Sequence, residues 1–289
     1  MFAIPSPRSF AFPEATAAMH LDLHVHSTCS DGSLAPAAVA AAARAAGLGM
    51  IALADHDTTA GVGPARAAAA GAGPEVLAAI EITCMLDGRE LHLLGYGFRP
   101  GDPGIAALTA RAAVARRERM AALVERLRSL GVPIAVADVT TEPECASIGR
   151  LHLARALVRL GRAGSVSEAF ARFIGDGAPA WVPSRGPDVG EAIAAVAAAG
   201  GCPVWAHPAP VDARHFAPLA ERGLAGVETL RPALDPLESV QLEQAARAAG
   251  LVVTGGSDWH GAARPALGSW YVTEKHVGAF LERLGIRLP

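Results

Sequence analysis

The segment LDLHVHSTCSDG at residues 21–32 contains His24, His26 and Asp31 within eight positions. His24 and His26 are two positions apart, so on a β-strand their side chains point to the same face. Asp31 follows five positions later and adds a carboxylate. Imidazole nitrogens and carboxylate oxygens are common ligands of transition-metal ions in proteins. The spacing therefore predicts that this strand end contributes to a metal site.

Similar polar residues recur at the ends of other short apolar segments. This set consists of His56, Glu81, His92, His207, Asp258 and His260. One histidine at a strand end usually has a structural role, but burying many unpaired titratable groups would cost several kcal/mol each. Together with His24, His26 and Asp31 the set is too large for a single ion, so we expect two or three ions bridged by a carboxylate. A ligand set of nitrogen and oxygen without thiolate favours manganese, zinc or iron.

Seven apolar segments must position these residues. They predict strands at residues 21–26, 50–57, 75–83, 90–98, 203–208, 224–230 and 251–260. Alanine-rich helical stretches separate most of them, and this alternation predicts an α/β fold with parallel pairing. In a parallel barrel the carboxyl ends of all strands open onto one face, where the loops build the active site. We therefore expect the candidate ligands to meet at one face.

The alternation breaks between the fourth and fifth strands. Helices are predicted at residues 104–131, 148–161 and 165–174, followed by the loop GDGAPAWVPSRGPD. Residues 101–188 are therefore interpreted as a helical insertion, with 19–100 and 189–289 forming the metal-binding unit. Residues 105–165 carry ten arginines against five acidic residues. Most of these arginines belong to a solvated helix face, but their excess biases the insertion toward an anionic ligand.

Composition narrows the class of protein. The chain has 289 residues, 51% of them hydrophobic, and a net charge of −3, which excludes a surface that is basic all over. Its four cysteines form no CxxC pair, so we expect a reducing cytoplasm rather than a disulfide framework. No segment predicts a membrane span. Residues 1–18 are expected to be a disordered tail, and translation could begin at Met1 or Met19.

The motifs HLDLHVHSTCSDG, ALADHDTTAG, AIEIT, LHLLGYG, WAHP and GGSDWH resemble the sequential motifs of the PHP (polymerase and histidinol phosphatase) family across nearly all of residues 20–260. The resemblance implies a distorted seven-stranded β/α barrel whose metal ions support cleavage of phosphate esters. It also implies three ligand groups. These are His24, His26, Glu81 and Asp258 for one metal, Asp31, His56 and His260 for a second, and His92 and His207 with a bridging Glu81 for a third.

Within the family, IGRLHLARALV at 148–158 resembles a branch of nucleoside 3′,5′-bisphosphate phosphatases, some of which trim short RNA from its 5′ end. Arg150 and His152 match residues of that branch that contact phosphate. A lysine usual in the branch is replaced by Ala178, and Arg185 is the candidate substitute. Arg231, after the sixth strand, is a further candidate at the mouth of the site. A salt bridge at the rim with Glu228 is the alternative for that arginine.

Several neighbouring residues have two interpretations. Asp22, Asp55 and Asp57 could orient histidine rings, although for Asp57 a cap of the helix that follows is the preferred expectation. Trp181 could stack on a nucleobase, whereas Trp259 is expected to pack in the core. Cys29 is expected to be a small buried side chain without a chemical role.

The expected reaction is in-line attack on phosphorus by a hydroxide that bridges two ions, with no separate catalytic base. A nucleoside 3′,5′-bisphosphate is the first candidate substrate, and short RNA degraded 5′ to 3′ or histidinol phosphate are alternatives. An amidohydrolase would generally need a lysine at a strand end, but Lys275 is the only lysine and follows the last motif. A non-enzymatic metal-binding module is the remaining alternative. No stable protein partner is predicted.

Overall fold

The computed structural model of the chain describes residues 18–139, 145–261 and 265–288. Apart from Ala18, the predicted disordered tail lies outside these residues. The described strands are β1 (Leu21–Val25), β2 (Met50–Leu53), β3 (Glu75–Leu86), β4 (Arg89–Tyr96), β5 (Cys202–Trp205), β6 (Gly226–Leu230) and β7 (Val252–Gly255). They form one sheet in the order of the chain. The predicted seven-stranded α/β architecture is therefore confirmed.

The described α-helices surround this sheet and fill the long connection between β4 and β5. They are α1 (Pro36–Ala45), α2 (Val62–Ala69), α3 (Pro103–Ser129), α4 (Arg150–Arg159), α5 (Val166–Ala169), α6 (Val189–Ala198), α7 (Phe216–Glu221), α8 (Pro236–Ala248) and α9 (Glu274–Arg283). The long helix α3 starts where Asp102 accepts hydrogen bonds from the backbone N–H groups of Gly104 and Ile105 and proline occupies its first position. It ends before Gly131, which has a φ of 78°.

Strand β4 runs antiparallel to both of its neighbours, so the prediction of parallel pairing is wrong at this position. Asp87 and Gly88 join β3 to β4, and their φ angles of 50° and 79° suit the tight two-residue turn of a hairpin. His92 pairs with Thr83 near the amino end of β4. Because β4 is reversed, its amino end lies beside the carboxyl ends of the parallel strands, and His92 still faces the other candidate ligands.

The two edges of the sheet meet at the end that carries the candidate ligands. The backbone N–H of His26 donates to the carbonyl of Trp259 over 2.9 Å, and the N–H of Trp259 donates to the carbonyl of His24 over 3.3 Å. These bonds join β1 to the segment that follows β7. Histidines on the first strand are thereby brought next to Asp258 and His260, which lie more than 230 residues later in the chain.

Apolar side chains pack on both faces of the sheet and within the helical segment. Ile80 and Leu93 belong to one core cluster, and Leu94 and Tyr96 to another. A third cluster lies entirely between residues 120 and 182 and includes Leu123, Leu127, Leu153, Leu157 and Phe173. The helical segment thus has apolar packing of its own, while the boundaries 101–188 for an insertion stay a prediction.

Candidate metal centre

All nine predicted ligands lie in one connected group of side chains. Glu81, which is fully buried on β3, is at its centre. Its Oε2 atom lies 3.2 Å from Nε2 of His24, 3.3 Å from Nε2 of His26 and 3.0 Å from Nδ1 of His56. Asp258 completes this side, with Oδ1 3.4 Å from Nε2 of His26. The ligand atoms of His24, His26, Glu81 and Asp258 all lie within 4.8 Å of one another.

Asp31 organises a second group beside the first. One of its oxygens lies 3.2 Å from Nε2 of His260, and the other lies 3.8 Å from Nε2 of His56. His26 also belongs to this group, since its Nδ1 lies 3.9 Å from Asp31. The predicted trio of Asp31, His56 and His260 is therefore found together, with His26 shared between two groups.

The other oxygen of Glu81 faces a third group. Oε1 lies 2.9 Å from Nδ1 of His92 and 2.8 Å from Nε2 of His207. These two histidine nitrogens are 3.3 Å apart. Glu81 therefore presents one oxygen to each of two neighbouring groups, which is the arrangement that a bridging carboxylate requires. The role of each residue as a metal ligand stays a prediction.

Several buried atoms at this site fit a bound cation. Nε2 of His24, Nε2 of His26, Nδ1 of His56 and Oε2 of Glu81 have no hydrogen-bond partner among the described residues. Buried polar atoms are normally hydrogen-bonded, because an unsatisfied one costs free energy. Four such atoms converge here, and all are imidazole nitrogens or carboxylate oxygens, which are common ligand atoms of divalent transition metals. The residues present thus fit bound divalent metal ions.

The electrostatics of the group follow from burial and from the mixing of carboxylates with imidazoles. Burial alone would lower the pKa of a histidine, yet the neighbouring carboxylates of Asp258 and Glu81 raise the pKa of His26 to about 9. Likewise, despite burial, Glu81 and Glu90 raise the pKa of His92 to about 10. Although burial opposes ionisation, the surrounding imidazoles hold the pKa of Glu81 well below its ordinary value. Glu81 is therefore ionised and available to a cation.

Backbone geometry at the loop starts positions two of the candidate ligands. His207 and Asp258 have φ angles of 38° and 51°, in a region that residues other than glycine rarely adopt. Gly256 allows the close approach of β1, because a Cβ atom at this position would lie 2.2 Å from Cβ of His24. Such strained positions cluster at functional sites, where the surrounding structure enforces them.

Carboxylates around the group fix its loops and rings. Asp22 accepts hydrogen bonds from N and Oγ of Ser257, and Asp55 accepts them from N and Oγ of Ser27, so these two bind loop residues rather than imidazole rings. Glu228 does contact a ring, since its Oε1 lies 2.9 Å from Nδ1 of His24.

The prediction that Asp57 caps a helix is wrong. Helix α2 begins after Gly61, and Asp57 instead accepts hydrogen bonds from the backbone N–H of Thr83 over 2.8 Å and from Nε of Arg116 over 2.6 Å. Arg116 belongs to α3, so this ion pair ties the helical segment to the residue after His56. Nothing in the local sequence around Asp57 indicates a partner 59 residues away.

The predicted substrate contacts lie in different environments. Arg150 begins α4, where its Nη1 lies 2.5 Å from Oδ1 of Asp176 and its Nη2 lies 3.9 Å from Oε1 of Glu90. Glu90 is in turn 3.5 Å from Nε2 of His92, so Arg150 lies near the edge of the ligand group. His152 is buried, and its Nδ1 accepts a hydrogen bond from the backbone N–H of Gly149 at the start of α4.

The remaining two predicted contacts are Arg231 and Arg185. Arg231 donates to the carbonyl of Pro208, next to His207, and no ion pair joins it to Glu228 among the described residues. Arg185 lines a separate cavity beside α3. Trp259 is 7% exposed and packs in the core as predicted.

Sequence reasoning placed Glu228 at the mouth of the site but missed its contact with His24, and it missed the contact of Glu90 with His92. Glu90 lies two positions before His92, so the alternation of a strand would have put it on the same face. Glu228 is an acid within the apolar segment GVETL, a signal that a buried partner exists.

Comparisons with known proteins agree with this geometry. Residues 22–135 match the model of the PHP domain. A 5′-3′ exoribonuclease of Haemophilus influenzae is 36% identical over 65% of this chain and 68% of its own length. A 3′,5′-nucleoside bisphosphate phosphatase of Chromobacterium violaceum is 31% identical over 83% of this chain and 87% of its own. A phosphoribosyl 1,2-cyclic phosphate 1,2-diphosphodiesterase of Eggerthella lenta is 31% identical over 83% and 94%, respectively.

A solved structure from Bifidobacterium adolescentis, assigned by name to the metal-dependent phosphoesterases, superposes with a TM-score of 0.82. The two sequences are 34% identical, and the match covers 91% of this chain and 96% of the other chain. Fold, site and relatives together define a metal-dependent phosphoesterase, an enzyme that hydrolyses phosphate esters. The chain belongs to the PHP family, as the sequence motifs predicted.

Proposed function

We propose that this enzyme hydrolyses a phosphate monoester of a nucleotide, with a nucleoside 3′,5′-bisphosphate as the first candidate substrate. The observation that carries the proposal is the convergence of nine imidazole and carboxylate side chains, with Glu81 at their centre and Arg150 at the edge of the group. The similarity to the Chromobacterium violaceum phosphatase supports this choice of substrate class.

His24, His26, Glu81 and Asp258 would hold one divalent ion, while Asp31, His56 and His260 would hold a second. His92 and His207, with Glu81 shared, would hold a third. When bound, manganese, zinc or iron would activate a water molecule for attack on phosphorus and offset negative charge on the phosphoryl oxygens. No separate protein base is therefore needed.

The chain's own residues would orient the phosphate. Arg150 presents a planar guanidinium that matches two phosphate oxygens at once. Its present partner, the carboxylate of Asp176, is 81% exposed, so a phosphate that approaches from solvent would displace it from Arg150. A cavity of about 260 Å³ lined by His92, His207 and Asp176 provides this approach. His152 would act indirectly, by fixing the first turn of α4 and hence the position of Arg150.

A 5′-3′ exoribonuclease acting on short RNA is the second candidate. The similarity to the Haemophilus influenzae enzyme and the arginine-rich helix α3 favour it. Histidinol phosphate and cyclic phosphate esters are further substrates to test. The alternative of an amidohydrolase gains no support from Lys275, which is exposed on α9. Among the described residues no helix is both long and apolar enough to span a membrane, and a cytoplasmic location stays part of the proposal.

A screen of phosphorylated compounds with manganese-loaded protein tests the proposal. The panel would contain nucleoside 3′,5′-bisphosphates, 5′-phosphorylated short RNA, histidinol phosphate, a cyclic phosphate ester and an aryl phosphate. We expect the highest kcat/KM for a nucleoside 3′,5′-bisphosphate. A higher value for RNA would favour the second candidate, and the absence of phosphate release from every compound would contradict the proposal.

A further inference from the structure

A cavity of about 310 Å³ lies between α3 and residues 182–185, and none of the predicted metal ligands lines it. Its helical wall consists of Ala115, Arg119, Ala122 and Arg126. Spacings of three and four residues put these side chains on one face of α3. The two alanines give this wall an apolar floor, and the two arginines line the cavity beside it.

The opposite wall holds two of these arginines in place without neutralising them. Nε of Arg119 donates to the carbonyl of Val182 over 3.0 Å, and Arg126 donates to the carbonyl of Trp181. A carbonyl carries no net charge, so Arg126 keeps its full positive charge at the cavity, whereas Nη1 of Arg119 also lies 3.4 Å from Oε2 of Glu90. The one acid that lines the cavity is Glu118, which is exposed. The cavity is therefore cationic.

Arg185 adds a third guanidinium from the opposite wall. Its side chain is exposed and forms neither a hydrogen bond nor an ion pair within the described ranges of the chain. If Arg119 and Arg126 served only to fasten residues 181–182 to α3, the cavity would need no third cation. Three guanidiniums around an apolar floor instead match a ligand with an anionic group and an apolar part.

The cavity adjoins the metal centre. Nη1 of Arg119 lies 3.4 Å from Oε2 of Glu90, and Oε1 of Glu90 lies 3.5 Å from Nε2 of His92. A second, smaller cavity shares Arg119 and Arg185 with the first and is also lined by Asp57, which follows His56. The first cavity is therefore linked to the candidate ligand group through Glu90, although none of the predicted ligands lines it.

We propose that the cavity formed by Arg119, Arg126 and Arg185 is a binding site for a phosphorylated nucleoside, separate from the metal centre. Its volume is at the lower end of the range of about 300–1,000 Å³ that small-molecule sites occupy, which suits one nucleotide. The guanidiniums would bind phosphate oxygens, and the apolar floor would contact the base. The nucleotide is either a free molecule or a second unit of the substrate, and only the latter source rests on the second candidate function, the degradation of short RNA.

Adenosine 5′-monophosphate titrated into chelator-treated protein by calorimetry tests the site without any metal. We expect saturable binding that Arg185→Glu weakens by about tenfold or more, since hydrogen bonds to charged groups contribute strongly. Arg117→Glu is the matched control, because Arg117 lies on another face of α3 and is exposed. It should leave the affinity within about twofold of the wild type, a change below 0.5 kcal/mol. Binding should persist in Arg150→Gln, which separates this cavity from the edge of the metal centre.

The two sources of the nucleotide give different kinetics in manganese-loaded protein. If the site binds part of the substrate, Arg185→Glu raises the KM of a 5′-phosphorylated dinucleotide relative to that of an aryl phosphate. If it binds a free nucleotide, adenosine 5′-monophosphate changes the rate of aryl phosphate hydrolysis in the wild type and not in Arg185→Glu. Either result supports the site.

Two outcomes would overturn the inference. One is an absence of saturable binding at millimolar nucleotide, and the other is equal weakening by Arg185→Glu and Arg117→Glu. Failure of the proposed function looks different, since nucleotide binding would persist while no phosphate ester is hydrolysed. Circular dichroism and thermal unfolding of each variant show whether the fold is intact.

Discussion

Glu228 on β6 and His24 on β1 are joined by a contact of 2.9 Å between Oε1 and Nδ1, although 204 residues separate them in sequence. Both side chains are fully buried. The second oxygen of Glu228 accepts a hydrogen bond from the backbone N–H of His207 over 3.0 Å. One carboxylate thus fixes the ring of one predicted ligand and the backbone of another.

Replacing Glu228 by glutamine should weaken metal binding while preserving the shape of the site. A carboxylate that accepts from the far nitrogen of a ligating histidine orients the ring and raises its basicity, and loss of such a partner lowers metal affinity by about 10–100-fold. Calorimetric titration with manganese measures the effect. Glu221→Gln, an exposed change on α7, is the control. Wild-type affinity in Glu228→Gln would refute the assigned role.

Arg116 should contribute strongly to stability, because it joins α3 to the buried carboxylate of Asp57 and to β3. It donates to Asp57 over 2.6 Å and to Oγ1 of Thr83 over 3.0 Å. Arg116→Met would leave the carboxylate of Asp57, which is 2% exposed, without its charge partner. Removing one member of a buried pair costs about 3–5 kcal/mol in the free energy of unfolding.

Urea unfolding measures this cost, and α3 supplies a matched control. Arg111 pairs with Glu191 at the surface, where both side chains are about half exposed or more. Arg111→Met should therefore change the free energy of unfolding by less than about 1 kcal/mol. Similar losses in the two variants would show that the Arg116 link is no stronger than a surface ion pair.

Asp176 should compete with phosphate for Arg150. Their ion pair of 2.5 Å occupies the guanidinium proposed to bind substrate, and Asp176→Asn would remove the competing charge. Because Asp176 is largely exposed, the gain should be small, with KM for an aryl phosphate falling by about two- to fivefold. Asp87→Asn, in the exposed turn between β3 and β4, is the control. An unchanged or higher KM in Asp176→Asn would contradict the proposed competition.

The sequence contained most of the information on where the candidate ligands lie. Polar residues at the ends of apolar segments, such as His24 and His56, were recognisable because a strand buried on both faces rarely carries them. The reversal of β4 was missed, although Asp87-Gly88 is a strong signal for a two-residue hairpin. The alternation of helices and strands along the chain predicts parallel pairing, and this prediction was applied to β4 in spite of the hairpin signal.

Long-range pairings were the part that the sequence could not supply. Asp57 has the local context of a helix cap, yet its carboxylate accepts a hydrogen bond from the guanidinium of Arg116 on the distant helix α3. Arg150 was predicted to bind phosphate, but nothing in the sequence indicates its pairing with Asp176. Such contacts depend on how the helical segment packs against the sheet, and local sequence patterns do not predict that packing.

The central claim is that the side chains around Glu81 hold the divalent ions that hydrolysis requires. The direct test is the rate of aryl phosphate hydrolysis as manganese is added back to chelator-treated protein, for the wild type and for Glu81→Gln. We predict no activity above background before addition, recovery in the wild type, and no recovery in a folded Glu81→Gln variant. Full turnover in the metal-free wild type, or full recovery in Glu81→Gln, would contradict the account.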